Sequence, residues 1–99
     1  MEQLILGEIM KKHLVKRKGH LEPFDERKVY ASCYAACLSS HIHHVHAEKI
    51  CEKISLDIKR WIAQKKRVTS NDIFLETAKR MRKYNKNAAF MYATHRDIS

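Results

Sequence analysis

An α+β fold, four helices with a small sheet built on a hairpin, is predicted by three observations. The stretch from His13 to Lys28 (H-L-V-K-R-K-G-H-L-E-P-F-D-E-R-K) replaces helical spacing with short alternating pieces, and it holds the only proline and one of the two glycines. Elsewhere apolar residues recur three and four apart, the period of a helix with one buried face. Asp25, Thr69 and Asn85, all good capping residues, stand where those periodic segments begin.

Taken in order, residues 1–12 place Leu4, Ile5, Ile9 and Met10 at helical spacing. They predict a short N-terminal extension, helical but weakened by Gly7, that packs on the domain, mediates self-association or frays. The domain proper spans residues 13–99. Its first two strands, His13–Arg17 and His20–Phe24, flank a Lys18–Gly19 turn, where Gly19 can take the positive φ of a tight hairpin. Pro23 removes a backbone donor, so the second strand is an edge or ends there. Asp25 then caps a helix running to Leu38, with Val29, Cys33, Ala36 and Cys37 on one stripe.

Ser39–His46 (S-S-H-I-H-H-V-H) breaks the period and reads as a solvated loop. From Ala47 to Gln64, Ile50, Ile54, Ile58, Trp61 and Ile62 form the clearest inward stripe of the chain. Lys65–Val68 is a basic connector that can add a short third strand beside the hairpin. Thr69, with Asp72 three residues on, forms a variant of the capping box. It opens a helix whose inner face is Ile73, Phe74, Thr77, Ala78 and Met81. Asn85 caps a last helix carrying Ala88, Ala89, Met91 and Tyr92. No repeat or linker divides these 99 residues, which suffice for one modest core.

Composition narrows the function classes. With 44% hydrophobic and 31% charged residues the chain is ordinary for a globular protein, and no apolar run approaches a membrane span. Met1–Lys12 makes a poor secretory signal, and three cysteines without a C-x-x-C pair fit a reduced, cytoplasmic protein without a zinc ribbon. Twenty basic residues against eleven acids give a formal charge of +9, a surface that attracts nucleotides, nucleic acids or acidic protein patches. His41, His43, His44 and His46 are good ligand types, but no cysteine or carboxylate accompanies them at a zinc spacing, so no metal site is assigned. No catalytic triad, Walker-type glycine loop or acid pair is present, and no enzyme is expected.

Lys16, Arg17 and Lys28 converge near the helix that Asp25 opens, which makes an anion site. A triphosphate needs several cations or oriented donors, and these three are the phosphate candidates. Adjacent strand residues face opposite ways, so for Lys16 and Arg17 both to serve, one reaches around the strand or meets a neighbouring chain.

The same residues carry a resemblance. V-K-R-K-G-H-L-E-P-F-D-E-R-K resembles the opening motif of the ATP-cone domain, the nucleotide-sensing module of ribonucleotide reductases and of the bacterial repressor of their genes. V-T-S-N-D-I at Val68–Ile73 is similar to that family's middle signature, and the likeness runs from Leu14 to Arg96. It implies a four-helix bundle capped by a small three-stranded β-sheet, with ATP or dATP, and magnesium alongside, beneath the cap. It also implies that Glu22, Phe24 and Asp25 help hold base, ribose or metal. Leu14 or Val15 would cover the adenine face, and Thr69 and Ser70 would approach its edge. Capping by Asp25 and Thr69 is compatible with those roles, and Phe24 also serves as a core plug.

The chain departs from the pattern at Lys18, where the family has Asp or Asn. It departs again at Y-A-T-H-R, one residue shorter than the family's closing Y-A-x-x-Y-R. No reductase barrel or zinc ribbon accompanies the motifs, so the expectation is a free-standing regulator that changes self-association or partner docking with nucleotide. Its partners would then be a homo-oligomer, a ribonucleotide reductase or DNA. The alternative is a small basic nucleic-acid-binding accessory protein, drawing on Lys65–Arg67 and Lys79–Lys83.

Overall fold

The structure, a computed structural model, describes residues 14–17 and 20–94, and within the first two strands the side chains of Val15, Leu21 and Pro23. The expected helix in residues 1–12 and the Lys18–Gly19 turn lie outside the described residues. The order is β1 (Leu14–Arg17), β2 (His20–Pro23), α1 (Glu26–Ser39), α2 (His44–Ala63), β3 (Val68–Thr69), α3 (Ser70–Arg82) and α4 (Lys86–Thr94). The fold is mostly helical, with α1 packed on α2 and α4, and α3 packed on α4 and β1.

β1 lies between its two neighbours. It pairs antiparallel with β2, from Leu14 opposite Pro23 to Arg17 opposite His20, a register that leaves two residues for the connection. On its other side it runs parallel to β3, with Val15 beside Val68 and Lys16 beside Thr69. A parallel neighbour requires a long crossover, and α1 and α2 supply it. Val15 and Val68 are both buried, so the β1–β3 pair is anchored in the core.

The helical stripes meet in one cluster. Val29, Cys33, Ala36 and Cys37 of α1 face Ala47, Cys51, Ile54, Ile58 and Ile62 of α2, with Ile73, Met81, Ala88 and Ala89 closing the far side. Phe24, Tyr30, Ile50, Trp61, Met91 and Tyr92 are partly buried against it, and Phe74 stacks on Tyr92 at 5.3 Å. Ser55 and Thr77 are buried polar exceptions, whose hydroxyls find no hydrogen-bond partner among the described residues.

Each expected cap is present. Asp25 accepts from the Arg27 backbone N–H at 3.0 Å, and Asn85 accepts from that of Ala88 at 2.9 Å. Thr69 Oγ1 accepts from the Asp72 N–H at 3.0 Å while the Asp72 carboxylate accepts from the Thr69 N–H at 2.9 Å, which completes the capping box.

The junction between α1 and α2 corrects the expected loop. Helix α2 begins at His44, three residues earlier than its apolar period suggests, with His43 as N-cap. The imidazole Nδ1 of His43 accepts from the Val45 N–H at 3.3 Å. Helix α1 closes with the Ile42 N–H on the Cys37 carbonyl at 3.1 Å and the His41 N–H on the Leu38 carbonyl at 3.0 Å. That pattern is the helix-ending motif that favours glycine at the left-handed position, yet His41 occupies it with φ 63°.

Candidate functional site

The parallel β1–β3 pair brings the two sequence motifs together. Residues some fifty positions apart become neighbours, Lys16 lying beside Thr69 with Ser70 opening α3 directly after it. Thr69 thus has two duties, as the last residue of a strand and the cap of a helix. Its partner Asp72 holds a carboxylate at the positive end of the α3 dipole. This helix start is therefore better matched to the polar edge of a neutral ring than to a phosphate.

Pro23, Phe24 and Asp25 lead into the start of α1, with Leu14 facing Pro23 across the strands. Phe24 is partly buried against the core. The Asp25 carboxylate accepts from Arg27 three times, from its backbone N–H, from Nε at 3.1 Å and from Nη2 at 3.2 Å. Hydrogen bonding from the Arg27 side chain, then from its backbone, holds the Asp25 carboxyl below its ordinary value. Glu26 is paired with Lys59 of α2 at 3.1 Å. Both acids at this helix start are thus charge-compensated. Lys28 is exposed one turn in, and its backbone N–H donates to the Asp25 carbonyl at 3.1 Å.

Val15 belongs to the core, covered by protein. The side chains of Leu14, Lys16, Arg17 and Glu22 lie outside the described residues. Arg27 is the participant that sequence reasoning passed over. Its place two residues after an acidic cap was the available signal, since that spacing brings both its backbone N–H and its side chain to the cap.

Two other clusters of chemistry-bearing side chains lie outside the two motifs. His43 stacks on His44 at 4.4 Å and meets His46 edge-on at 6.4 Å, all three exposed. Among the described residues no group of three or more His, Cys, Asp or Glu is placed to hold a metal ion. Cys33, Cys37 and Cys51 are free and fully buried. Hydrogen bonding to Cys51, then burial, raises Cys37. Hydrogen bonding to Cys33, then burial, pushes Cys51 up to about 12 against an opposing contact with Cys37. Cys37 and Cys51 thus stay protonated, and all three thiols are sealed in the core, which makes them packing groups rather than nucleophiles.

Against this geometry, the family model described as ATP cone domain matches residues 12–90 of the 99. This chain belongs to the ATP-cone family. ATP-cone domains are non-catalytic regulatory modules that sense nucleotides and bind ATP or dATP as effector. No curated protein and no solved structure matched the chain. Among the described residues of this ATP-cone domain, no helix is long and apolar enough to cross a membrane.

The ATP-cone domain also carries an open cleft of about 390 Å³ between the end of α2 and the flank of α3. It is lined by Trp61, Lys65, Asp72, Leu75, Glu76 and Lys79. Neither motif of the family resemblance includes Trp61, Lys65, Leu75 or Lys79.

Proposed function

We propose that residues 13–99 form a cytoplasmic regulatory domain that takes ATP or dATP, with magnesium, beneath its hairpin. Lys16, Arg17 and Lys28 hold the phosphates, Glu22 and Asp25 orient ribose or metal, and Phe24 closes the hairpin's end. Leu14 covers the adenine face, and Thr69 and Ser70 meet its edge. Residues 1–12 are an extension that takes part in the output. The single observation that supports this reading is the register of β1 on β3, which sets Lys16 beside Thr69. Charge compensation of Asp25 by Arg27 and of Glu26 by Lys59 favours it too, because uncompensated acids at the start of α1 would repel a polyphosphate.

Binding becomes regulation only when the nucleotide favours one surface state over another. The output is self-association, or docking on a ribonucleotide reductase or its transcriptional control. Calorimetry on the full chain tests the first step. Saturable heat with ATP or dATP is expected, with binding weakened roughly tenfold or more by Lys16→Ala or Lys28→Ala, the loss of one charge-assisted contact. The same substitution at Lys49, exposed on α2, should leave it unchanged. Absence of saturable heat at millimolar nucleotide, for protein shown to be folded by circular dichroism, removes the reading. Sedimentation with and without nucleotide then separates self-association, which raises the mass, from docking on a partner.

A further inference from the structure

Charge is concentrated on one part of this molecule. Between Lys59 and Lys83 the chain carries nine basic residues against two acids, Asp72 and Glu76. The cleft between α2 and α3 joins the two basic runs, since Lys65 from the connector and Lys79 from α3 both line it. Its acids are already engaged. Asp72 completes the capping box, and Glu76 accepts from Arg80 Nε at 2.8 Å. Among the described residues Lys65, Lys66, Arg67, Lys79, Arg82 and Lys83 form no ion pair. At the mouth stands Trp61, partly exposed, with the Lys65 Nζ 5.1 Å from its ring centroid. Leu75, 55% exposed, extends the apolar surface beside it. Lys83 follows Lys79 by one turn, so the cationic strip continues along α3.

We propose that this cleft binds single-stranded nucleic acid, a function separate from nucleotide sensing under the hairpin. One base stacks on Trp61, displacing the Lys65 ammonium from the ring toward the adjoining phosphate. Lys79 and Lys83 track the backbone on one side, and Lys65, Lys66 and Arg67 track it on the other. An aromatic platform flanked by unpaired cations is the arrangement that single strands use. A duplex keeps its bases inside the stack and cannot present one to Trp61. An acidic peptide meets the same charges but offers no planar ring.

The test uses the full chain and a labelled oligothymidylate of about 20 nucleotides, enough to span one such groove. Binding is read by anisotropy across a salt series and by the intrinsic fluorescence of Trp61, the only tryptophan. Expected are quenching of Trp61 and tighter binding than to a duplex of equal length. The affinity of Lys65→Glu/Lys79→Glu should fall at least tenfold, with the slope of log K against log salt flattened by roughly 1.4 for two lost phosphate contacts. Trp61→Phe should weaken the single strand more than the duplex. Both lysines are exposed, so the paired variant keeps the test valid if Trp61→Phe fails to fold. Equal affinity for duplex without quenching overturns the proposal, as does unchanged affinity in the folded lysine variant. So does equal displacement by poly-glutamate. Quenching by ATP alone, with displacement of the oligonucleotide, assigns the cleft to mononucleotide and also overturns it.

Discussion

Two helix starts, those of α2 and α3, solve the same problem with opposite chemistry. At α3 the Thr69 hydroxyl and the Asp72 carboxylate each take one backbone donor, and the negative charge sits where the dipole favours it. At α2 the corresponding acceptor is the His43 imidazole at 3.3 Å, no acid lies in the first turn, and three more histidines crowd the junction. One of them, His41, holds a left-handed backbone that glycine adopts more readily. The end bearing the ATP-cone signature is therefore locally reinforced, whereas the histidine junction rests on the helices packed around it.

The contrast is broken or sharpened by three measurements. The largest effect is expected from Thr69→Ala, which removes the better cap and costs about 1 kcal/mol. Thermal unfolding should then shift down by roughly 4–8 °C for a domain of this size. The histidine junction should respond in the other direction. His41→Gly relieves the left-handed position and should stabilise by about 0.5–1 kcal/mol, and His43→Asp should add a few tenths. A lower melting temperature for His41→Gly would mean that this side chain makes stabilising contacts of its own, and the contrast would fail.

The smallest effect is at a third helix start. Asp25 titrates lower in the fold than its ordinary 3.8, so the stability it lends is present above that value and is lost as pH falls below it. In Asp25→Asn, the dependence of stability on pH should be shallower in acid than in the parent, as read by denaturant titration.

Much of this was legible in the sequence, for identifiable reasons. Asp25, Thr69 and Asn85 are residues whose side chains favour caps, and each caps a helix. Val29, Cys33, Ala36 and Cys37, and likewise Ile54, Ile58 and Ile62, follow the helical period and are buried, while Trp61 of the same stripe is only partly covered. His44–His46 carries no helix signal in the sequence, because histidine is neither a strong helix former nor a usual cap. The helix is extended there by the closing hydrogen bonds of α1 and by the cap at His43, which no apolar period records. The burial of Val15 was not legible, because its partner Val68 comes from a strand about fifty residues away. The cleft at Trp61 was not legible at all, because it exists only through the way α2 and α3 lie against each other. The charges that line it were visible as two separate runs.

The chain of three thiols between α1 and α2 makes the core its own reporter. Iodoacetamide reacts with exposed thiolate, and while the two helices stay together all three sulfurs are buried and Cys37 and Cys51 also resist ionisation. The speed with which such a reagent labels the native chain therefore counts how often α1 parts from α2. A nucleotide that tightens the domain should slow that count without touching a single cysteine.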